Sequence, residues 1–111
     1  MADQKTHRKL EISVVGLSYR ATPATLEKIA MATPLKAKLQ REPTNAHDEN
    51  AIMVVLTEKP WPNFHIGYVS REVAKELAPK MDSGEVEISK VTLLKVDLID
   101  NSGELAVKAW K

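Results

Sequence analysis

Residues 41–52 read REPTNAHDENAI, one Pro, two Asn, one His, one Asp and two Glu crowded between apolar runs without a single Gly. These side chains can do three kinds of chemistry. His47 and Asp48, with His65 further along, could meet as a metal site or as a base and the carboxylate that orients it. No ligand spacing or motif joins them, so a loop His and a strand His bonded to water or backbone is the simpler expectation. Asn45, Asp48 and Asn50 can each accept a hydrogen bond from an amide one or two residues on, and Pro43 holds Glu42 extended, so the loop can be stiff without glycine. Finally, an ionised carboxylate only accepts hydrogen bonds, so Asp48 can hold a hydroxyl where a phosphate would meet like charge. The sequence leaves open whether Asp48 caps its own loop or receives a ligand.

Other chemistry is missing. The 111 residues contain no Cys, which excludes disulfides, zinc knuckles and thiol nucleophiles and points to an intracellular setting. There is no phosphate-cradling glycine loop, no nucleophile elbow and no His pair at metal spacing, so no enzyme, cofactor or metal is expected. A formal net charge of +1 means that an anionic partner must be met by a local patch. The opening MADQKTHRK lacks the apolar segment of a secretory signal and no run approaches a membrane span, so a soluble, cytoplasmic protein is expected.

The elements that must position the loop follow from pattern. Residues 1–10 read as a flexible basic tail and 11–111 as a single domain. EISVVGLSY (11–19) predicts a strand with a bulge or a close backbone approach at Gly16. Thr22-Pro23 starts a short helix that Pro34 ends, and Leu35, Ala37 and Leu39 alternate with Lys36, Lys38 and Gln40 as a strand with one wet, basic face. Ala51–Thr57 and Phe64–Val69 read as strands, and Ser70 caps a second helix that Pro79 ends or kinks. Val86 and Ile88 alternate, as do Leu94, Val96 and Leu98, and a bulge or bend is expected near 90–93. Asp100–Gly103 is a turn, and Leu105, Val107 and Ala109 alternate in a last strand. Such an order predicts a mainly β fold with two short helices, a small OB-like or SH3-like, partly closed barrel.

Four blocks, VVGLSYR (14–20), LQREPTNAHDENAI (39–52), IGYVSREVAKELAP (66–79) and MDSG (81–84), resemble the HIRAN domain in order and spacing, over about residues 12–84. The resemblance implies a small barrel of the oligonucleotide-binding kind, free-standing as in bacterial and phage members. It also implies a non-catalytic module that binds single-stranded DNA at a free 3′-hydroxyl end, working with a helicase or other ATPase. Asp48 then occupies the acidic position that contacts the hydroxyl, and Tyr19 the position of a base-stacking aromatic, with His47 and Tyr68 as further flat surfaces. Arg41, Arg71, Lys75 and Lys36 could meet phosphates. In the first block the family carries Arg before the aromatic, where this chain has Ser18, and Arg20 lies two positions later. That departure, with the near-neutral charge, keeps a second expectation open: a protein-interaction adaptor using the same groove. Trp61 and Trp110 lie outside the matching blocks and are expected to pack.

Overall fold

The computed structural model describes residues 7–110 and, for residues 7, 8, 18 and 110, the backbone alone. Its elements are β1 (His7–Val15), α1 (Leu17–Arg20), α2 (Pro23–Ala32), β2 (Leu35–Arg41), β3 (Ile52–Leu56), β4 (Phe64–Val69), α3 (Arg71–Ser83), β5 (Glu87–Asp97) and β6 (Ser102–Trp110). The six strands are antiparallel and form a closed barrel in the order β1-β4-β3-β2-β5-β6, with β6 returning to β1. Closure gives every strand among the described residues two neighbours. No helix among the described residues is long and apolar enough to cross a membrane.

The barrel closes fully where a partly closed one was expected, but its seam is narrow. β1 meets β4 only at Val14↔Val69 and Val15↔Tyr68, with the Ser70 N–H donating to the Ser13 carbonyl just beyond. Pairing stops there because Gly16, at φ 77°, turns the chain out of the strand and into the single turn of α1. The strand expected to run to Tyr19 therefore ends at Val15, and Tyr19 stands on a helical turn anchored by the fully buried Leu17. At the other end β1 begins at His7, paired with Trp110, so part of the expected tail is strand; residues 1–6 lie outside the described residues.

Local chemistry accounts for the helices. The Thr22 hydroxyl oxygen accepts from the Thr25 N–H at 3.2 Å, Pro23 takes the first helical position, and Leu26 and Ile29 bury their side chains. Ser70 stands at the start of α3 but makes no side-chain cap; its carbonyl accepts from the Ala74 N–H at 2.9 Å. α3 runs through Pro79 and stops at Gly84, whose φ of 80° suits the left-handed terminus. Ala74, Leu77 and Ala78 pin it to the core, which Val14, Ile52, Val54, Leu56 and Ile66 continue through the barrel. Burying each large aliphatic side chain contributes about 1.5–3 kcal/mol.

Two irregularities shape the surface. β5 shifts register against β6 between Ile88 and Lys90 and again between Leu93 and Lys95, flanking the place where one bend was expected. The first shift turns Val91 and Leu93 inward, so Leu94 points outward, and the second brings Val96 back; Leu94, and Leu98 in the turn beyond, are exposed where an inward alternation was predicted. The turn itself spans 98–101, and Ser102 and Gly103 already belong to β6. In β4, Gly67 pairs with Val54 and His65 with Val55, so Ile66 is an extra residue. A bulge places two successive residues on the same side: Ile66 and Gly67 are both buried, which brings His65 and Tyr68 out together on the opposite face.

Gly67 is also where the backbone comes closest. A Cβ there would stand 2.6 Å from the Val15 carbonyl oxygen and 3.0–3.1 Å from Val14 and Leu17. Gly67→Ala is therefore expected to push β1 and α1 off β4 and to destabilise the fold by about 1–3 kcal/mol in urea unfolding. An unchanged midpoint would show that the seam does not need that contact.

Candidate functional site

The polar loop is held by its own side chains. The Asn45 side-chain oxygen accepts from the His47 and Asp48 amides at 2.8 and 3.0 Å, and Asp48 Oδ1 accepts from the Asn50 N–H at 2.9 Å. Glu42 ties this lattice to the barrel: its Oε1 accepts from Asn45 Nδ2 at 2.7 Å and from the Tyr68 hydroxyl at 2.8 Å. These two bonds hold the Glu42 carboxyl below its ordinary pKa, while burial first, and the Glu42 carboxylate second, push the Tyr68 phenol up.

Arg41, expected at a phosphate, is spent on the fold. Its guanidinium donates to the Ala51 and Glu49 carbonyls at 2.6 and 2.9 Å and makes a two-point pair with Asp82 at 2.9 and 3.1 Å, leaving its side chain 15% exposed. It clamps the returning end of the loop to the C-terminal part of α3.

On the other side of Tyr68 stands a residue that the sequence reading set aside. The His65 ring meets the Tyr68 ring edge-on at 4.7 Å, its Nε2 lies 2.8 Å from the Gly67 carbonyl, and its Nδ1 accepts from Arg20 Nη2 at 2.7 Å. With Nε2 donating to that carbonyl, Nδ1 carries the lone pair that Arg20 requires. Burial, then the Arg20 charge, lower the His65 pKa, which keeps the ring neutral. Arg20 thus fastens α1 to β4, and beside it Tyr19 is 90% exposed. The signal for His65 was weak because its position on the Tyr68 face depends on the bulge, and alternation alone puts residues 65 and 68 on opposite faces.

Asp48 is neither open nor sealed. One oxygen caps the loop, the other lies 3.6 Å from Arg71 Nε, and the side chain is 21% exposed. Arg71, on the first turn of α3, also donates to the His47 carbonyl at 3.1 Å and is itself largely exposed, as are His47 and Lys75 one turn on. The fold thus brings Arg20, His47, Asp48, Tyr68 and Arg71 around one loop and its flanks, with Tyr19 at the edge. Lys36 stands apart, five residues before Arg41 on β2 and roughly 16 Å away. Lys38, on the same wet face, shares a row with Val55 and His65 across the sheet. The side chain of Ser18 lies outside the described residues. Among the described residues no three His, Asp or Glu are placed to hold a metal ion.

Both His65 and Glu42 have folded pKa values below their ordinary ones, so each contributes stability that is complete above its ordinary value and is lost as the pH falls. For His65 the loss begins below 6.5, and for Glu42 below 4.5. Urea midpoints are expected to drop as the pH falls from about 6.5 to 5, and His65→Gln, which keeps an acceptor for Arg20 without a titrating ring, should flatten that limb. An undiminished slope in the variant would contradict the assignment. Arg41→Met is expected to cost about 2–3 kcal/mol and to speed amide exchange at Asn50 and Ala51, since charged hydrogen bonds are lost together; wild-type exchange there would remove the clamp.

The geometry has known counterparts. The HIRAN domain profile matches residues 7–96. The crystal structure of the HIRAN domain of human HLTF superposes with a TM-score of 0.71 at 25% identity, covering 92% of this chain and 74% of that one. A crystal structure of a protein from Lactobacillus plantarum gives 0.69 at 24% identity, covering 97% and 99%. The NMR structure of the HLTF HIRAN domain in its DNA-bound conformation gives 0.68 at 24%, covering 96% and 78%. No curated protein matches the chain. With the profile spanning most of the sequence and the barrel reproduced, this chain belongs to the HIRAN domain family.

Proposed function

We propose that this protein is a non-catalytic module that binds the free 3′-hydroxyl end of single-stranded DNA. The observation that carries the reading is the unequal use of the two Asp48 oxygens: Oδ1 is occupied by the loop, whereas among the described residues Oδ2 meets only a long contact with an exposed Arg71. A terminal hydroxyl can donate to that oxygen and accept from the Arg71 guanidinium, while a terminal phosphate in the same place brings two negative groups together. Tyr19 offers a free ring face for an unstacked base, worth about 1–3 kcal/mol, and Lys75, Lys38 and Lys36 offer cations along the surfaces leading away from the loop. The DNA-bound conformation known for the HLTF HIRAN domain supports the ligand class.

Arg20 takes a different part from the one expected of it. Its guanidinium is shared with His65, so it contributes positive potential beside Tyr19 while holding α1 in place. If the site lacks enough free cation for DNA, the same surface is left to a protein partner.

Chemical-shift titration with a short oligonucleotide ending in a 3′-hydroxyl should move the amides of Tyr19, His47, Asp48 and Tyr68. The same strand with a 3′-phosphate should bind about tenfold more weakly, or about 1.4 kcal/mol, and Asp48→Asn should narrow that gap. Equal binding of both strands removes end recognition, and no binding of either favours the adaptor.

A further inference from the structure

The flank of α3 turned away from the loop borders a cavity of about 370 Å³ between the helix and strands β1 and β6. Leu10, Ile12, Val73, Leu77 and Val86 form its apolar floor. Its volume lies within the range of sites that take a ligand or several side chains. Around it stand Glu11, Glu72 and Glu76, with Lys80 as the one cation in the lining. None of the three glutamates has an ion-pair partner among the described residues.

The charge on α3 is divided. At about 100° per residue, Arg71 and Lys75 fall on the flank that faces the loop, and Val73, Glu76 and Lys80 on the flank that faces the cavity. Nucleic acid is repelled from the second flank by its carboxylates, and an uncharged partner would leave them unpaired. The complement of an apolar floor with an acidic rim is a segment with apolar residues on one face and Lys or Arg on the other.

We infer that this groove is a docking site for a cationic amphipathic helix of a partner protein. The helix would lay its apolar face over Val73 and Val86 and bring its basic residues to Glu11, Glu72 and Glu76. This site is separate from the loop and does not rest on the reading given to it, so one protein could hold a strand end on one flank of α3 and a partner on the other.

The test uses the whole chain and two synthetic peptides of about 14 residues, matched to the length of α3 at ~1.5 Å per residue, with the same leucine pattern and either lysine or glutamate at the polar positions. The lysine peptide is expected to shift the amides of Leu10, Ile12, Val73 and Val86 and not those of His47 and Asp48. Glu72→Lys/Glu76→Lys should weaken it by about tenfold or more, with Glu72→Gln/Glu76→Gln showing a smaller loss should the first variant fail to fold. Equal binding of the two peptides, shifts confined to other surfaces, or a concentration-dependent dimer in sedimentation that uses the groove for a second copy would each overturn the inference.

Discussion

A single carboxylate joins the polar loop of this molecule to its barrel. Glu42 receives Tyr68 from the barrel and Asn45 from the loop on the same oxygen, and the stretch from Asn45 to Asp48 starts from that junction. Asn45, held there, points its carbonyl oxygen at the amides of His47 and Asp48, which fixes the path of the loop and hence the direction of the Asp48 carboxylate. The arrangement is stable because ionised Glu42 has two donors in a partly buried place, where a charge without partners would be costly.

The barrel contributes its irregularities. A regular β4 would put His65 and Tyr68 on opposite sides of the sheet; the extra residue at Ile66 puts them side by side, and the absence of a side chain at Gly67 lets Val15 and α1 close over the seam. Tyr68 thereby faces Glu42 on one side and His65 on the other, and His65 passes the connection to Arg20 and α1. Loop, strand and helical turn form one bonded unit, with Tyr19 and His47 exposed on it.

Much of this was legible in the sequence, and the gaps have physical causes. The cap at Thr22-Pro23, the alternation of β2 and β6 and the stiffening of the loop by Asn45 and Asp48 are local effects, visible wherever residue type and spacing decide the matter. The family resemblance rests on four blocks, of which the loop and the start of α3 are the most specific. What pattern alone does not show depends on register and on distant partners. Tyr19 was assigned to a strand because nothing local shows that Gly16 adopts φ 77°. Leu94 was turned inward because the two shifts in β5 are set by pairing with β6. Nothing local to Arg41 shows its pairing with Asp82, 41 residues away. His65 was set aside because its face is decided by a bulge that alternation cannot reveal.

The proposal that the loop grips the end of a strand, and not its middle, is tested most directly by placing a spin label on the oligonucleotide. A label at the 3′-terminal nucleotide should broaden the amides of His47, Asp48 and Asn50 most strongly, and a label at the 5′ end should leave them sharp. Equal broadening from either label, or broadening centred on another part of the barrel, would contradict it.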